Sequence, residues 1–149
     1  MYGKNAHAAY QSVQVTTTDR GRLLLMMYEG AIKFLRQAKA GLEENDIPKF
    51  CRFLSKGQAI VAELMNTLDF EKGGTIARDL DRLYDFMLFY LTEANLHRDA
   101  KRITRVIGLL DTIYNAYKEI IEGEKKSAEV TEDKDETAEA KKDRVQISL

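Results

Sequence analysis

Few side chains in this sequence could carry covalent or metal chemistry: two histidines, His7 and His97, one cysteine, Cys51, and carboxylates spread along the chain. A carboxylate-bridged di-metal site in a helical protein needs inward glutamates and two Glu-x-x-His pairs, the ligands of each pair one turn apart on one face. Glu93 and His97 stand four apart rather than three, and there is no second Glu–His pair. That spacing predicts a surface ion pair near a helix end. Cys51 lies beside Phe50 and close to Phe53, where a thiol acts as a small hydrophobe. A Cys–His nucleophile needs a histidine in space, and neither histidine is near Cys51 in sequence. Gly73-Gly74 lacks the lysine of a phosphate loop and follows no strand, so it reads as a corner between helices. The expectation is a protein that is not an enzyme, with no catalytic residue, no metal and no cofactor.

Binding chemistry is better represented. Leu68 to Leu91 reads LDFEKGGTIARDLDRLYDFMLFYL, and Phe86-Met87-Leu88-Phe89-Tyr90-Leu91 is an unbroken large apolar or aromatic run. At about 100° per residue such a run points all round a helix, whereas a surface helix buries about a third of its circumference. With Ile76 set at 0°, Ile76, Leu80, Leu83, Tyr84, Met87 and Leu91 fall between about −20° and 80° and form the expected core line, continued by Ala94. Leu88 lies near 120°, Tyr90 near −40° and Phe86 near −80°, and Phe89 stands almost opposite the core. An aromatic in that position is exposed or covered by another chain, and contiguous apolar exposure marks a partner site. Leu23-Leu24-Leu25-Met26-Met27-Tyr28 shows the same surplus, with Leu25, Tyr28 and Ile32 as a second line beside the main stripe. A groove between two helices suits a partner helix with anchors at i, i+3, i+4 and i+7. Flexible methionines, five in all, adapt to such a partner and serve equally as core filler.

The elements that must position these residues are helices. One proline, no tryptophan and few β-branched clusters predict an all-α chain. Residues 1–18 lack a clean period and read as an irregular, mobile N-terminal arm. Asp19 is the expected N-cap of a first helix over about 20–44, with Leu23, Leu24, Met27, Ala31, Phe34, Leu35, Ala38 and Leu42 on its stripe. Asp46 and Pro48 open a second helix, about 47–68, carrying Phe50, Leu54, Val61, Leu64, Met65 and Leu68. Thr75 is the expected cap of a third, about 76–97, and Asp99 of a fourth, about 100–122, with Ile103, Val106, Ile107, Leu110, Ile113, Tyr114, Tyr117 and Ile121. Short connections between similar helices predict an antiparallel up-down four-helix bundle over 19–121. Residues 122–149 hold 9 acidic and 6 basic residues and read as a charged, disordered tail whose Ala, Glu and Lys allow transient helix.

The 149 residues suffice for a core without disulfides, and 23 basic against 24 acidic residues leave a net charge of −1, so no global field attracts nucleic acid. A single cysteine fits a reducing compartment. The first residues lack a charged and then apolar leader, and no apolar run approaches the ~20 residues that span a bilayer. A cytoplasmic protein without membrane insertion is expected.

Several blocks carry a family resemblance. Leu68-Asp69-Phe70-Glu71-Lys72-Gly73-Gly74, followed by Leu80-Asp81-Arg82-Leu83-Tyr84-Asp85-Phe86-Met87, resembles the flagellin export chaperone family (FliS-type). Leu24 to Leu35, LLMMYEGAIKFL, is similar to that family's Leu-Tyr-Asp/Glu-Gly-Ala-Ile block, and Ala9-Tyr10, Glu93-Ala94-Asn95 and Leu109-Leu110 also match. The likeness spans about residues 8–121. Thr18-Asp19-Arg20 stands where the family has Ala-Ser-Pro, and Phe89 where it more often has a polar or basic residue. The resemblance implies an antiparallel bundle that binds the C-terminal region of flagellin, which is disordered in the free monomer. Binding prevents premature polymerisation and keeps the client competent for flagellar type III export, without ATP or metal. It also implies an N-terminal arm that folds over the empty groove, a cap assigned here to Tyr10 and Val13. Export-gate and regulatory proteins are further partners of such a protein.

The residues expected to touch the client are Ile60, Leu64, Leu68, Tyr84, Met87, Leu88 and Leu91, large apolar side chains flanking the glycine corner. Each stands equally well in the interior by its stripe position. Two other readings remain open at this point: a homodimeric helical interaction protein whose surplus apolar face meets a second copy, and a metal-dependent bundle enzyme, which the missing ligand pairs disfavour.

Overall fold

Four helices follow one another as α1 (Tyr2–Glu43), α2 (Ile47–Asn66), α3 (Phe70–His97) and α4 (Ala100–Ile147). The computed structural model describes the backbone of residues 2–147 and the side chains of residues 19–127, and no strand occurs among them. The chain divides into two compact units, residues 1–115 and 116–149. The all-α bundle expected from the periodicity is the first of them.

Local chemistry sets the corners. Asp46 accepts a hydrogen bond from the backbone N–H of Lys49 at 3.1 Å, satisfying one of the orphan donors that open α2, and Pro48 sits in its first turn, where a missing N–H costs nothing. Asn45 takes a left-handed φ of 56° to turn the chain out of α1. Asp99 caps α4 by accepting from the Lys101 N–H at 2.9 Å, after Arg98 has ended α3 in a left-handed conformation.

Three boundaries differ from the sequence expectation. Asp69 rather than Thr75 caps α3, accepting from Glu71 N and Lys72 N, each at 3.1 Å. A first turn therefore forms before the glycine corner. The corner itself is Gly74, non-helical at φ 51° and ψ −125°, and only a residue without Cβ adopts that region at no cost. Asp19 is not a cap but lies inside α1, whose backbone is helical from Tyr2 through the segment expected to be irregular. That segment contains no proline, the one residue that stops a helix outright. Likewise the backbone of α4 stays helical to Ile147, in line with the Ala, Glu and Lys content of its final third. In the second unit, burial pushes the Tyr117 phenol above its ordinary pKa.

The core of the first unit is apolar throughout. It comprises Tyr28, Ala31, Ile32, Leu35 and Ala38 from α1; Phe50, Leu54, Val61 and Leu64 from α2; Ala77, Leu80, Tyr84, Met87, Leu91 and Ala94 from α3; and Ile103, Val106 and Leu110 from α4. In α1 both expected lines reach the core, Ala31, Leu35 and Ala38 from the main stripe and Tyr28 and Ile32 from the second line, whereas Leu23, expected on the main stripe, is exposed. The Tyr28 and Tyr84 hydroxyls are hydrogen-bonded across this core, which satisfies two polar atoms that burial would otherwise strand.

Glycines bring α1 and α2 together. A Cβ on Gly57 would stand 2.7 Å from Leu35 Cδ2, and one on Gly41 would stand 2.7 Å from the Phe50 backbone nitrogen. The Phe50 backbone cannot rotate aside as a side chain can. Gly41→Ala should therefore destabilise the fold by a net ~1–2 kcal/mol in urea unfolding, because overpacking of about 1–3 kcal/mol exceeds the helix-propensity gain of up to ~1 kcal/mol. A variant as stable as the parent would show that the interhelix corner can relax.

Candidate partner-binding surface

The residues with potential for covalent or metal chemistry do not assemble. His97 Nε2 meets Glu93 Oε2 at 3.3 Å in an exposed i, i+4 pair, as their spacing predicts. Cys51 is exposed rather than packed as a hydrophobe, so the flanking phenylalanines do not cover it. Among the described residues no group of three His, Cys, Asp or Glu side chains is placed to hold a metal ion, and no helix among them is long and apolar enough to cross a membrane. A cavity of about 440 Å³ lies between α1 and α4, lined by Glu29, Ile32, Lys33, Arg36, Gln37, Ala40, Asp111 and Tyr114. Tyr114 donates to Glu29 Oε1 at 2.6 Å along it, and this mixed polar lining pairs no nucleophile with a base.

The apolar surplus is concentrated on α3. Its buried residues Ala77, Leu80, Tyr84, Met87, Leu91 and Ala94 span about 0° to 100° when Ile76 is the origin, so the core direction lies near 50°. This is rotated by about 20°, roughly one fifth of a residue step, from the expected line. Two predicted core residues stand outward: Leu83, at about −20°, falls beyond that arc and is 36% exposed, and Ile76 is 71% exposed. Ile76 also follows the Gly74 break, where the chain has only just resumed its helix.

Tyr90 identifies the neighbour on this edge. Its ring lies 5.8 Å from the Arg102 guanidinium and 5.9 Å from that of Arg105, both on α4. Phe86 packs on the same ring with centroids 4.7 Å apart and an interplanar angle of 35°. The α4-facing edge of α3 therefore presents Ile76, Leu83, Phe86 and Tyr90, and beyond it Phe89 is 62% and Leu96 73% exposed. Phe70, in the turn before Gly74, is exposed as well. Phe89 is thus open to solvent, as its position opposite the core predicts.

Other aromatic groups near the surface are already partnered. Phe34 of α1 and Phe53 of α2 stack at 6.0 Å. Lys56 lies over both rings, at 5.5 Å and 5.4 Å, and Arg52 covers Phe53 at 4.8 Å. These cations screen the α1–α2 seam from solvent, the usual arrangement of an amphipathic stem over an aromatic face.

The structure separates the seven residues expected to meet a partner. Leu64, Tyr84, Met87 and Leu91 are interior, with at most 1% of their surface exposed, so a partner could reach them only by opening the bundle. Ile60, Leu68 and Leu88 are half-buried; Ile60 abuts Gly30, whose added Cβ would lie 3.3 Å from Ile60 Cδ1, and Leu88 lies on the α3 edge away from Tyr90. Outside that set, Ile76 and Leu83, which periodicity placed on the core line, and Phe86 on its flank are exposed. The side chains of Tyr10 and Val13, expected as a cap, lie outside the described residues.

A model of the family described as Flagellar protein FliS matches residues 3–124. The chain is 38% identical over 125 residues to the flagellar secretion chaperone FliS of Salmonella typhimurium, covering 80% of this chain and 93% of that protein. It is 35% identical over 120 residues to the FliS of Campylobacter jejuni, with 80% and 94% covered, and 32% identical over 123 residues to that of Bacillus subtilis, with 83% and 91% covered. The family model's span takes in the glycine corner and the α3 aromatic run. The chain belongs to the FliS family of flagellar secretion chaperones.

Proposed function

We propose that this chain is a cytoplasmic export chaperone whose client is the C-terminal segment of flagellin, held on the exposed apolar edge of α3 so that it neither polymerises early nor loses competence for type III export. The observation that carries this reading is the row Ile76, Leu83, Phe86 and Phe89, left exposed by the chain's own bundle in a family of secretion chaperones. A disordered segment that orders on binding spends part of its contact energy on lost conformational freedom, so it needs a long apolar surface rather than a small pocket. Such a surface is what α3 offers along several turns. Leu68, half-buried before the glycine corner, extends it at one end, and Leu88, half-buried on the other flank of the core line, offers a second point of contact to a client that wraps the helix. Tyr10 and Val13 belong to this proposal as a cap that competes with the client and reduces its apparent affinity by the fraction of open form.

Calorimetric titration with a peptide of the last ~40 residues of flagellin, about eleven turns if wholly helical, tests the reading. Saturable binding with a large negative heat-capacity change is expected, because apolar surface is removed from water as the peptide orders. A chain lacking residues 1–15 should bind the same peptide more tightly. Absence of binding to either chain, or equal binding of a scrambled peptide, would overturn the client assignment.

A further inference from the structure

The apolar edge of α3 ends on a cationic site. Residues 98–105, Arg-Asp-Ala-Lys-Arg-Ile-Thr-Arg, hold four basic side chains against one acidic, in a chain whose net charge is −1. Arg102 and Arg105 both stand within 6 Å of the Tyr90 ring, at 5.8 Å and 5.9 Å. Two guanidiniums gathered at one ring repel each other, and Arg102 is offset only by Asp99, at 3.5 Å. Arg105 is exposed and makes no ion pair among the described residues.

Helix chemistry makes this placement unfavourable for α4 by itself. Asp99 supplies a carboxylate at the cap, but the first turn itself contains no acidic residue and holds Lys101 and Arg102, cations that the positive end of a helix dipole disfavours. A local arrangement that opposes helix stability points to a use outside the helix. Beside Tyr90 and these cations lies an open depression of about 460 Å³, bounded also by Asp99 and Thr104, roomy enough for a side chain.

We infer that Arg102 and Arg105, both within 6 Å of the Tyr90 ring, bind a carboxylate side chain of the client and so select an amphipathic helix carrying Asp or Glu one to two turns from its apolar anchors. The spacing follows from this chain: Tyr90 touches Phe86 at 4.7 Å, and Leu83 and Ile76 continue the apolar edge away from the arginines. Guanidinium groups suit the task because their planar donors match a carboxylate while their faces stay on the tyrosine ring. The apolar edge supplies affinity, and the arginine end supplies register and direction. This inference rests on the chaperone reading above.

The test uses the full chain and three versions of the flagellin peptide: native, with every Asp and Glu replaced by its amide, and native with an amidated terminus. Raising NaCl from about 50 to 500 mM should weaken native peptide binding to the parent chain roughly tenfold, since partly exposed ion pairs are screened. Arg105→Gln should remove about half of that salt dependence on a logarithmic scale, and Arg102→Gln with Arg105→Gln nearly all of it, with low-salt affinity down about five- to tenfold. The all-amide peptide should bind the parent chain as weakly as the native peptide binds the double variant, and terminal amidation should change nothing. A merely structural stacking role for the arginines would instead lower the melting temperature and leave the salt slope intact, which overturns the inference. So does loss of affinity on terminal amidation alone, because the bound carboxylate would then be the chain end. If the parent chain binds no version of the peptide at either salt, the chaperone reading itself fails, a result distinct from tight but salt-insensitive binding.

Discussion

Combining Ile76→Asp with Phe89→Asp is expected to weaken binding of the flagellin peptide by about 100-fold while leaving the melting temperature within about 2 °C of the parent. Both side chains are more than half exposed, at 71% and 62%, so the free protein loses little by exchanging them for carboxylates. The complex loses both their apolar contact and the hydration of two anions that a docked helix would cover. They lie on either side of Phe86 around the α3 surface, so a client using this edge cannot avoid both. Peptide titration and thermal unfolding of the same preparation decide the matter. Undiminished affinity would move the client to another face, and a collapse in melting temperature would mean that these residues support the fold.

Leu91→Ala and Met87→Ala should behave in the opposite way. Each side chain is fully buried in the bundle, and truncation removes transfer energy and leaves a cavity, for a loss of about 2–5 kcal/mol of unfolding free energy. Urea denaturation measures this directly. The fraction of molecules still folded should bind the peptide with nearly parental affinity, because neither residue reaches the surface. Strong loss of binding without loss of stability would show that the client inserts between helices rather than lying on α3. The two sets of variants therefore separate a surface-docking chaperone from one that opens to receive its client.

The contrast between these sets also explains which parts of the site were legible beforehand. Leu80, Tyr84, Met87, Leu91 and Ala94 lie on the core line that helical spacing predicts, and all are buried. Ile76 and Leu83 share that line and are exposed: Leu83 because α3 is turned slightly about its axis by what packs on it, Ile76 because it stands beside the Gly74 break. A rotation of about 20° leaves the period unchanged, so the sequence pattern is blind to it while the identity of the rim depends on it. In α1 the ambiguity was larger. Two parallel apolar lines both satisfied the spacing, and both turn inward: Leu35 of the main stripe packs against Gly57, and Tyr28 of the second line meets the Tyr84 hydroxyl. Charge on the rim had a different history: the basic run at 98–105 is plain in the sequence, but its meaning depends on Tyr90 arriving beside Arg102 and Arg105 from another helix.

By itself, the amino-acid sequence determined the helical class, the capping by Asp46 and Asp99, the glycine corner at Gly74, the exposure of Phe89 and the family, because each rests on local backbone chemistry or on residues near one another along the chain. It also determined that α3 carries more apolar surface than one stripe can bury. Only the tertiary structure decided which part of that surplus remains outside. Leu64, Tyr84, Met87 and Leu91 went to the core, while Ile76, Leu83 and Phe86 went to the α4-facing rim. The physical reason is that a helix fixes the angles between its own side chains, whereas its rotation against its neighbours is set by the volumes and polar contacts of all the helices packed together.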